Sequence, residues 1–167
     1  MIGMSWYQRK GRYACRVKLG AAGDDDVVDV FAMVHLTGLL RQAFSDRMKG
    51  EKWAAQAGFR PPCAGMLIVI GRLQPVSQRD VGRLMRIDPA DVVGVVDILE
   101  HAGLVERKRD PADRRRYALS LTKAGTGRAA RLDALRRAAV DEVLGALTTD
   151  EQRTLAQLVS KAIGPLV

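Results

Sequence analysis

Cysteine is scarce in this chain. The two present, Cys15 and Cys63, make neither a disulfide framework nor a paired metal motif, so a reducing compartment is the simpler reading. Histidine is as rare, and His35 and His101 lie too far apart in sequence to suggest the clustered ligands a metal site needs. Aromatic residues are only 5% of the chain, which leaves any core to Leu, Val, Ala, Ile and Met. No apolar run approaches the roughly 18–20 residues of a membrane span. Nor does an apolar stretch of signal-peptide length follow the basic first residues. A cytoplasmic protein with no membrane partner is expected. No nucleophile–base pair, phosphate-binding loop or metal set stands out, so neither an enzyme nor a cofactor is expected.

What is present suits one folded domain with a real core: 167 residues, 47% of them hydrophobic. The net charge is +8 and unevenly spread. Residues 1–22 hold Arg9, Lys10, Arg12, Arg16 and Lys18 and no acid, a charge of +5, so the other 145 residues carry 8 − 5 = +3. Residues 1–22 read as a flexible basic arm, or as a misassigned translation start. A basic balance favours an anionic partner such as nucleic acid.

Helical spacing begins near Asp24–Asp26, whose acids suit a helix start, and continues through Val27, Val30, Phe31, Val34 and Leu39 to about Met48. A short helix is expected around Glu51–Ala57, stopped by Gly58. Pro61 and Pro62 open another, carrying Met66, Leu67, Ile70 and Leu73. Ser77, three residues before Asp80, is an N-cap for a helix with Val81, Leu84 and Met85 on its buried side. After a turn at Arg86–Ile87, Asp88-Pro89-Ala90-Asp91 caps a second helix containing Val92, Val95, Val96 and Leu99, which Gly103 ends. Two short helices across a tight turn outline a helix-turn-helix.

Two strands follow, Leu104–Arg107 and Tyr117–Leu121, with an Asp-Pro turn signal between them. Residues 107–116 hold six basic side chains and two acids, a net of +4. A basic-tipped hairpin after the second helix is the wing of a winged helix, able to track phosphates and enter the minor groove. A long helix is then expected after Thr122, running to about Leu147 and lined by Leu132, Leu135, Ala139, Val143 and Leu147. Thr149 and Gln152 suggest a capping box for a last helix with Leu155, Leu158, Val159 and Ile163.

The stretches Leu99-Glu100-His101-Ala102-Gly103-Leu104-Val105-Glu106-Arg107, Asp110-Pro111-Ala112-Asp113-Arg114-Arg115 and Leu121-Thr122-Lys123-Ala124-Gly125, with their spacing, resemble the MarR family of winged helix-turn-helix transcription regulators. The resemblance implies a mainly α fold with a small β-hairpin wing. The helices of 23–60 and 123–167 would form a dimerisation region around a DNA-binding lobe at 61–122. It implies a homodimer on a pseudo-palindromic operator in double-stranded DNA, acting as a repressor and responding to a small aromatic or phenolic effector. It further implies that Arg115 enters the minor groove while Asp113 orients the wing-tip arginines. Arg107, Arg109, Arg114 and Arg116 are the other expected wing contacts, and a solvated charged turn is the bland reading of all of them.

From the two helices, Ser77, Gln78, Arg79, Asp88, Ala90, Asp91, Val92 and Val95 are the candidate DNA-facing residues. Ser77 is as readily a plain cap. Residues 88–99 contain no Arg, Lys, Asn or Gln, the side chains that best read purine edges, so direct readout is expected to be sparse. Asp88, Asp91 and Asp97 would repel phosphates unless neutralised. That favours a rival reading, an interaction module that has lost DNA reading; the basic wing favours DNA. Phe31, His35, Trp53, Met66 and Ile70 are candidates for an effector pocket, with an ordinary core residue the preferred reading of each one. Cys63 sits near a helix start, where a thiol can be activated, but a buried structural thiol is the preferred reading.

Overall fold

In the computed structural model, residues 4–9, 12–17, 30–109 and 117–164 are described, the first two segments by backbone alone. The chain divides into two compact units, Met1–His35 and Leu36–Val167. In the first, strands Met4–Arg9 (β1) and Arg12–Val17 (β2) pair antiparallel, in register from Met4 with Val17 to Arg9 with Arg12. Both strands fall within residues 1–22, read from the sequence as a flexible basic arm. Trp6, Tyr7, Tyr13 and Val17 all favour extended backbone, a propensity that outweighs the interspersed basic residues.

The remaining elements are α1 (Val30–Met48), α2 (Lys52–Gln56), α3 (Pro61–Leu73), β3 (Val76–Ser77), α4 (Gln78–Met85), α5 (Pro89–His101), β4 (Val105–Arg109), β5 (Tyr117–Leu121), α6 (Lys123–Val143) and α7 (Thr149–Ile163). The start expected for α1 near 24–26 lies outside the described residues. The wing sheet has three strands in the order β3–β5–β4, all antiparallel. Its third strand, β3, is two residues long, too short for alternation to announce it.

The core gathers on α3, where Cys63, Met66, Leu67 and Ile70 have no exposed surface. Around it close Val81 of α4, Val92, Val95, Val96 and Leu99 of α5, Leu119 of β5 and Leu132 of α6. The α5 set falls at i, i+3, i+4 and i+7, one face of a helix. Helix α6 ends at Val143, four residues before the expected Leu147. Gln152 donates from Nε2 to the carbonyls of Leu144 and Leu147, at 3.2 and 3.3 Å, satisfying acceptors that a longer helix would have bonded internally. The last capping box is accordingly Thr148 with Glu151, not Thr149 with Gln152. Thr148 N–H donates to Glu151 Oε2 at 2.7 Å and Glu151 N–H to Thr148 Oγ1 at 3.3 Å. The Thr148 backbone N–H, and then its hydroxyl donating to Glu151 Oε2 at 2.8 Å, hold the Glu151 carboxyl below its ordinary pKa.

Candidate nucleic-acid interface

Local chemistry builds the helix-turn-helix. Ser77 Oγ accepts from Asp80 N–H at 3.1 Å and donates to Asp80 Oδ2 at 2.5 Å, so the plain-cap reading of Ser77 describes what its hydroxyl does. Gly82 lets the two helices meet: a Cβ there would lie 2.8 Å from Val92 Cγ2. Gly82 also accepts from Ile87 N–H at 3.0 Å, closing the turn. Asp88 Oδ1 then accepts from Ala90 N–H at 2.9 Å as the cap of α5, with Pro89 in the first helical position.

Helix α5 has two sides. Val92 and Val95 are buried, at 3% and 0% exposure, and cannot touch DNA; their place among the candidate contacts is corrected by their helical phase. Ala90, Asp91, Val93 and Asp97 are on the exposed side. Gln78 and Arg79 lie on α4 beside a cleft of about 610 Å³ between the helices, floored by Ile87, Val92 and Val93 and rimmed by Arg83 and Arg86.

Arg86 closes α4 in the left-handed region, at φ 52° and ψ 44°, where glycine is the usual residue. Any side chain there costs about 1 kcal/mol. Such strain persists where the surroundings enforce it and gathers at functional positions; here it sets an exposed guanidinium beside the start of α5. Arg86→Gly is expected to stabilise the fold by about 0.5–1 kcal/mol by relieving the strain. The same change should lower the salt slope of duplex binding by about one unit. Denaturant melts and a salt titration check both, and an unchanged slope would leave Arg86 without a role at the duplex.

The wing residues divide sharply. Arg107, expected to meet DNA, is engaged inside the protein. Its Nη2 lies 2.5 Å from Asp97 Oδ1 and its Nη1 2.6 Å from Glu100 Oε2, with the side chain only 22% exposed. The expectation is corrected: Arg107 clamps β4 to α5 and neutralises one of the three aspartates of that helix. Arg107→Ala is expected to cost about 1 kcal/mol, since the carboxylates are partly solvated, and to leave the salt slope unchanged. Lys108 pairs with Glu106 at 2.6 Å. Arg109 is exposed and stacks 4.6 Å over the Tyr117 ring. Asp113, Arg114, Arg115 and Arg116 lie outside the described residues.

The expected effector-pocket residues do not share one environment. Met66 and Ile70 have no exposed surface and are core, the reading preferred for each of these candidates. Phe31 is 80% exposed and His35 is exposed, so neither is an ordinary core residue. Trp53 is half-buried in a polar knot. Its indole N–H donates to Glu51 at 2.6 Å, Arg131 pairs with the same carboxylate at 2.8 Å, and Arg128 lies 4.6 Å over the ring. The Trp53 hydrogen bond, then that of Arg131, hold Glu51 below the usual carboxylate range. Cys63 is wholly buried, and burial pushes its thiol pKa up, the opposite of activation. Among the described residues no group of three or more His, Cys, Asp or Glu converges as a metal site. No described helix is long and apolar enough to cross a membrane.

Sequence reasoning missed Arg60, Arg83 and Arg86. A cation next to a helix cap was the available signal, but which way each points depends on how α3, α4 and α5 pack.

Comparison with known proteins gives the same frame. A family model described as MarR family matches residues 57–116, from the end of α2 to the wing. The transcriptional regulator BilQ of Clostridium symbiosum is 30% identical over 76% of this chain and 87% of its own length. A candidate transcriptional regulatory protein for the hcr operon of Thauera aromatica is 34% identical over 62% of this chain, a match that spans 63% of that relative. Among solved structures, the Mycobacterium tuberculosis MarR family protein Rv2887 in complex with DNA aligns with a TM-score of 0.62 at 24% identity, covering 82% of this chain and 98% of that one. The chain belongs to the MarR family.

Proposed function

We propose that this chain is a DNA-binding transcription regulator, a repressor that works as a homodimer on a pseudo-palindromic operator and yields to a small aromatic or phenolic effector. One observation carries the DNA part: exposed guanidiniums of Arg60, Arg79 and Arg86 stand about a capped α5, with no ion pair among the described residues. Phosphates are the complement of that arrangement. Gln78, Arg79, Ala90, Asp91 and Arg109 are the proposed contacts within the described residues. Asp113, Arg114, Arg115 and Arg116 are proposed for the wing tip, with Arg115 in the minor groove and Asp113 orienting its neighbours.

The interaction-module rival drew on the aspartates of the second helix. Asp88 is occupied as a cap and Asp97 by Arg107, leaving Asp91 as the exposed acid without a partner among the described residues. That weakens the rival, and the Arg107 pair removes the repulsion expected from one of the three aspartates.

The dimer part is supported by exposed apolar side chains on both outer helices. Val30 and Val34 of α1, and Leu158 and Ile163 of α7, are each more than half exposed. Two lobes joined through such helices would meet half-sites about 34 Å apart, one turn of the duplex. The effector part rests on the family alone: ligand binding would favour a dimer geometry whose lobes no longer match that spacing. Fluorescence anisotropy on intergenic duplexes from 50 to 300 mM salt tests the DNA reading. Binding should weaken steeply and linearly on a log–log plot; no binding below 100 mM would favour the interaction module.

A further inference from the structure

Resting on the DNA-binding reading, we infer that Arg60, which lies outside the recognition helix, supplies the base-reading guanidinium of this surface. The 13 residues of α5 include no Arg, Lys, Asn or Gln, so the helix has no side chain suited to a purine edge in the major groove. It has instead a bare place on its exposed side. Gly94 carries no side chain, and a Cβ built there would lie 3.0 Å from Arg60 Nη2. The guanidinium of Arg60 thus rests across α5 where the helix's own side chain would begin.

The backbone under that guanidinium is anchored. Arg60 caps α3 in extended conformation, φ −96° and ψ 162°, followed by Pro61 and Pro62. Its N–H donates to the Sγ of wholly buried Cys63 at 3.3 Å. The side chain itself is exposed and has no ion pair among the described residues, although Asp88 and Asp91 line the same cleft of about 380 Å³. A cation held on a helix face and left unneutralised there awaits an acceptor from outside. Beside α5 in a major groove, the guanidinium fork matches guanine O6 and N7. Arg60 and Gly94 together make a two-part reading side chain, the stem from α3 and the seat from α5.

The test is selection from a random-sequence 30-base-pair duplex library with the full chain, its R60Q and R60K variants, and G94A, each followed by affinity, salt and melting measurements. The wild type is expected to enrich a site with a G·C pair at a symmetric position. R60Q should lose that preference and bind the selected duplex about 5- to 150-fold more weakly. It should melt as the wild type does. R60K keeps the charge but not the fork and should recover only part of the preference. G94A shifts the guanidinium by a few tenths of an ångström while keeping its charge; it should weaken the preference less than R60Q does and add nothing in the R60Q background. An R60Q protein that selects the same sequence as tightly would overturn the assignment. So would a uniform weakening over all sequences with the salt slope reduced by one, which marks a phosphate contact, or a lowered melting point, which marks a structural role. A wild type that binds no duplex at all brings down the DNA-binding reading as well, an outcome distinct from wild-type binding that R60Q leaves unaltered.

Discussion

Gly125→Ala is expected to destabilise the fold by at least about 3 kcal/mol, at the upper end of what overpacking costs. A Cβ at Gly125 would lie 1.8 Å from the carbonyl oxygen of Leu104, 2.8 Å from its carbonyl carbon and 3.2 Å from its Cα. All three are backbone atoms, so no rotamer change relieves the clash. Nor is that backbone free to move. Leu104 N–H donates to Leu99 O at 2.9 Å, and Leu104 O accepts from Thr122 N–H at 3.1 Å. Thr122 in turn donates from Oγ1 to Gly103 O at 2.7 Å and accepts from Gly125 N–H at 3.0 Å. The end of α5, the root of the wing and the start of α6 meet in this junction, so one methyl strains all three. The midpoint should fall by about 6–12 °C, at roughly 2–4 °C per kcal/mol for a chain of this size. Gly127→Ala two residues on is the control. Nothing lies within 4 Å of its Cβ position, and it should gain about 0.5–1 kcal/mol from helix propensity. Equal melting of the two variants would refute the account of the junction.

Gly125 also shows which parts of this fold can be read from sequence. Caps are local, and the capping residues Ser77 and Asp88 could be found one by one; each accepts the backbone hydrogen bond its position predicts. The start of α3 at Pro61 and the span of β5 were legible for the same reason. The signal thinned where partners are distant in sequence. Nothing in Val76-Ser77 announces a strand, because its pairing is made by Ala118 and Leu119. Nor does the sequence around Arg107 show that Asp97 and Glu100 face it, or that around Arg60 that Gly94 does. Arg107, expected to face DNA, is ion-paired within the protein, and where Arg60 and Arg86 stand depends on how α3, α4 and α5 pack. Val92 and Val95 differ in that their spacing with Val96 and Leu99 is itself legible as a core face, and that face is buried.

Leu158→Asp combined with Ile163→Asp is expected to turn a dimer into a monomer and to weaken operator binding by about 100-fold or more, because the second half-site would no longer bind as part of the same molecule. The reasoning starts from α7, a 15-residue helix with no buried residue, on which Leu158 and Ile163 are 59% and 58% exposed and Val159 39%. A helix of that length is marginal in water without packing. Its first turn is well secured by the Thr148–Glu151 box and by Gln152 reaching the end of α6, but those bonds hold one end only. What would stabilise the rest is burial of its apolar side, worth about 1.5–3 kcal/mol for each large side chain covered. A second copy of the chain supplies an apolar side of the same kind and satisfies the closed symmetry usual in oligomers. Carboxylates at 158 and 163 would each have to be desolvated in such an interface, at a cost exceeding the lost apolar gain. Light scattering should therefore give twice the 18.3 kDa chain mass for the wild type and the single mass for the double variant. The lobe at 61–122 carries neither substitution, so the monomer should still bind duplex DNA weakly, with roughly half the salt slope of the dimer, since half the phosphate contacts remain. A double variant that stays dimeric, or a wild type that binds its site with full affinity as a monomer, would remove the two-lobed clamp from this account.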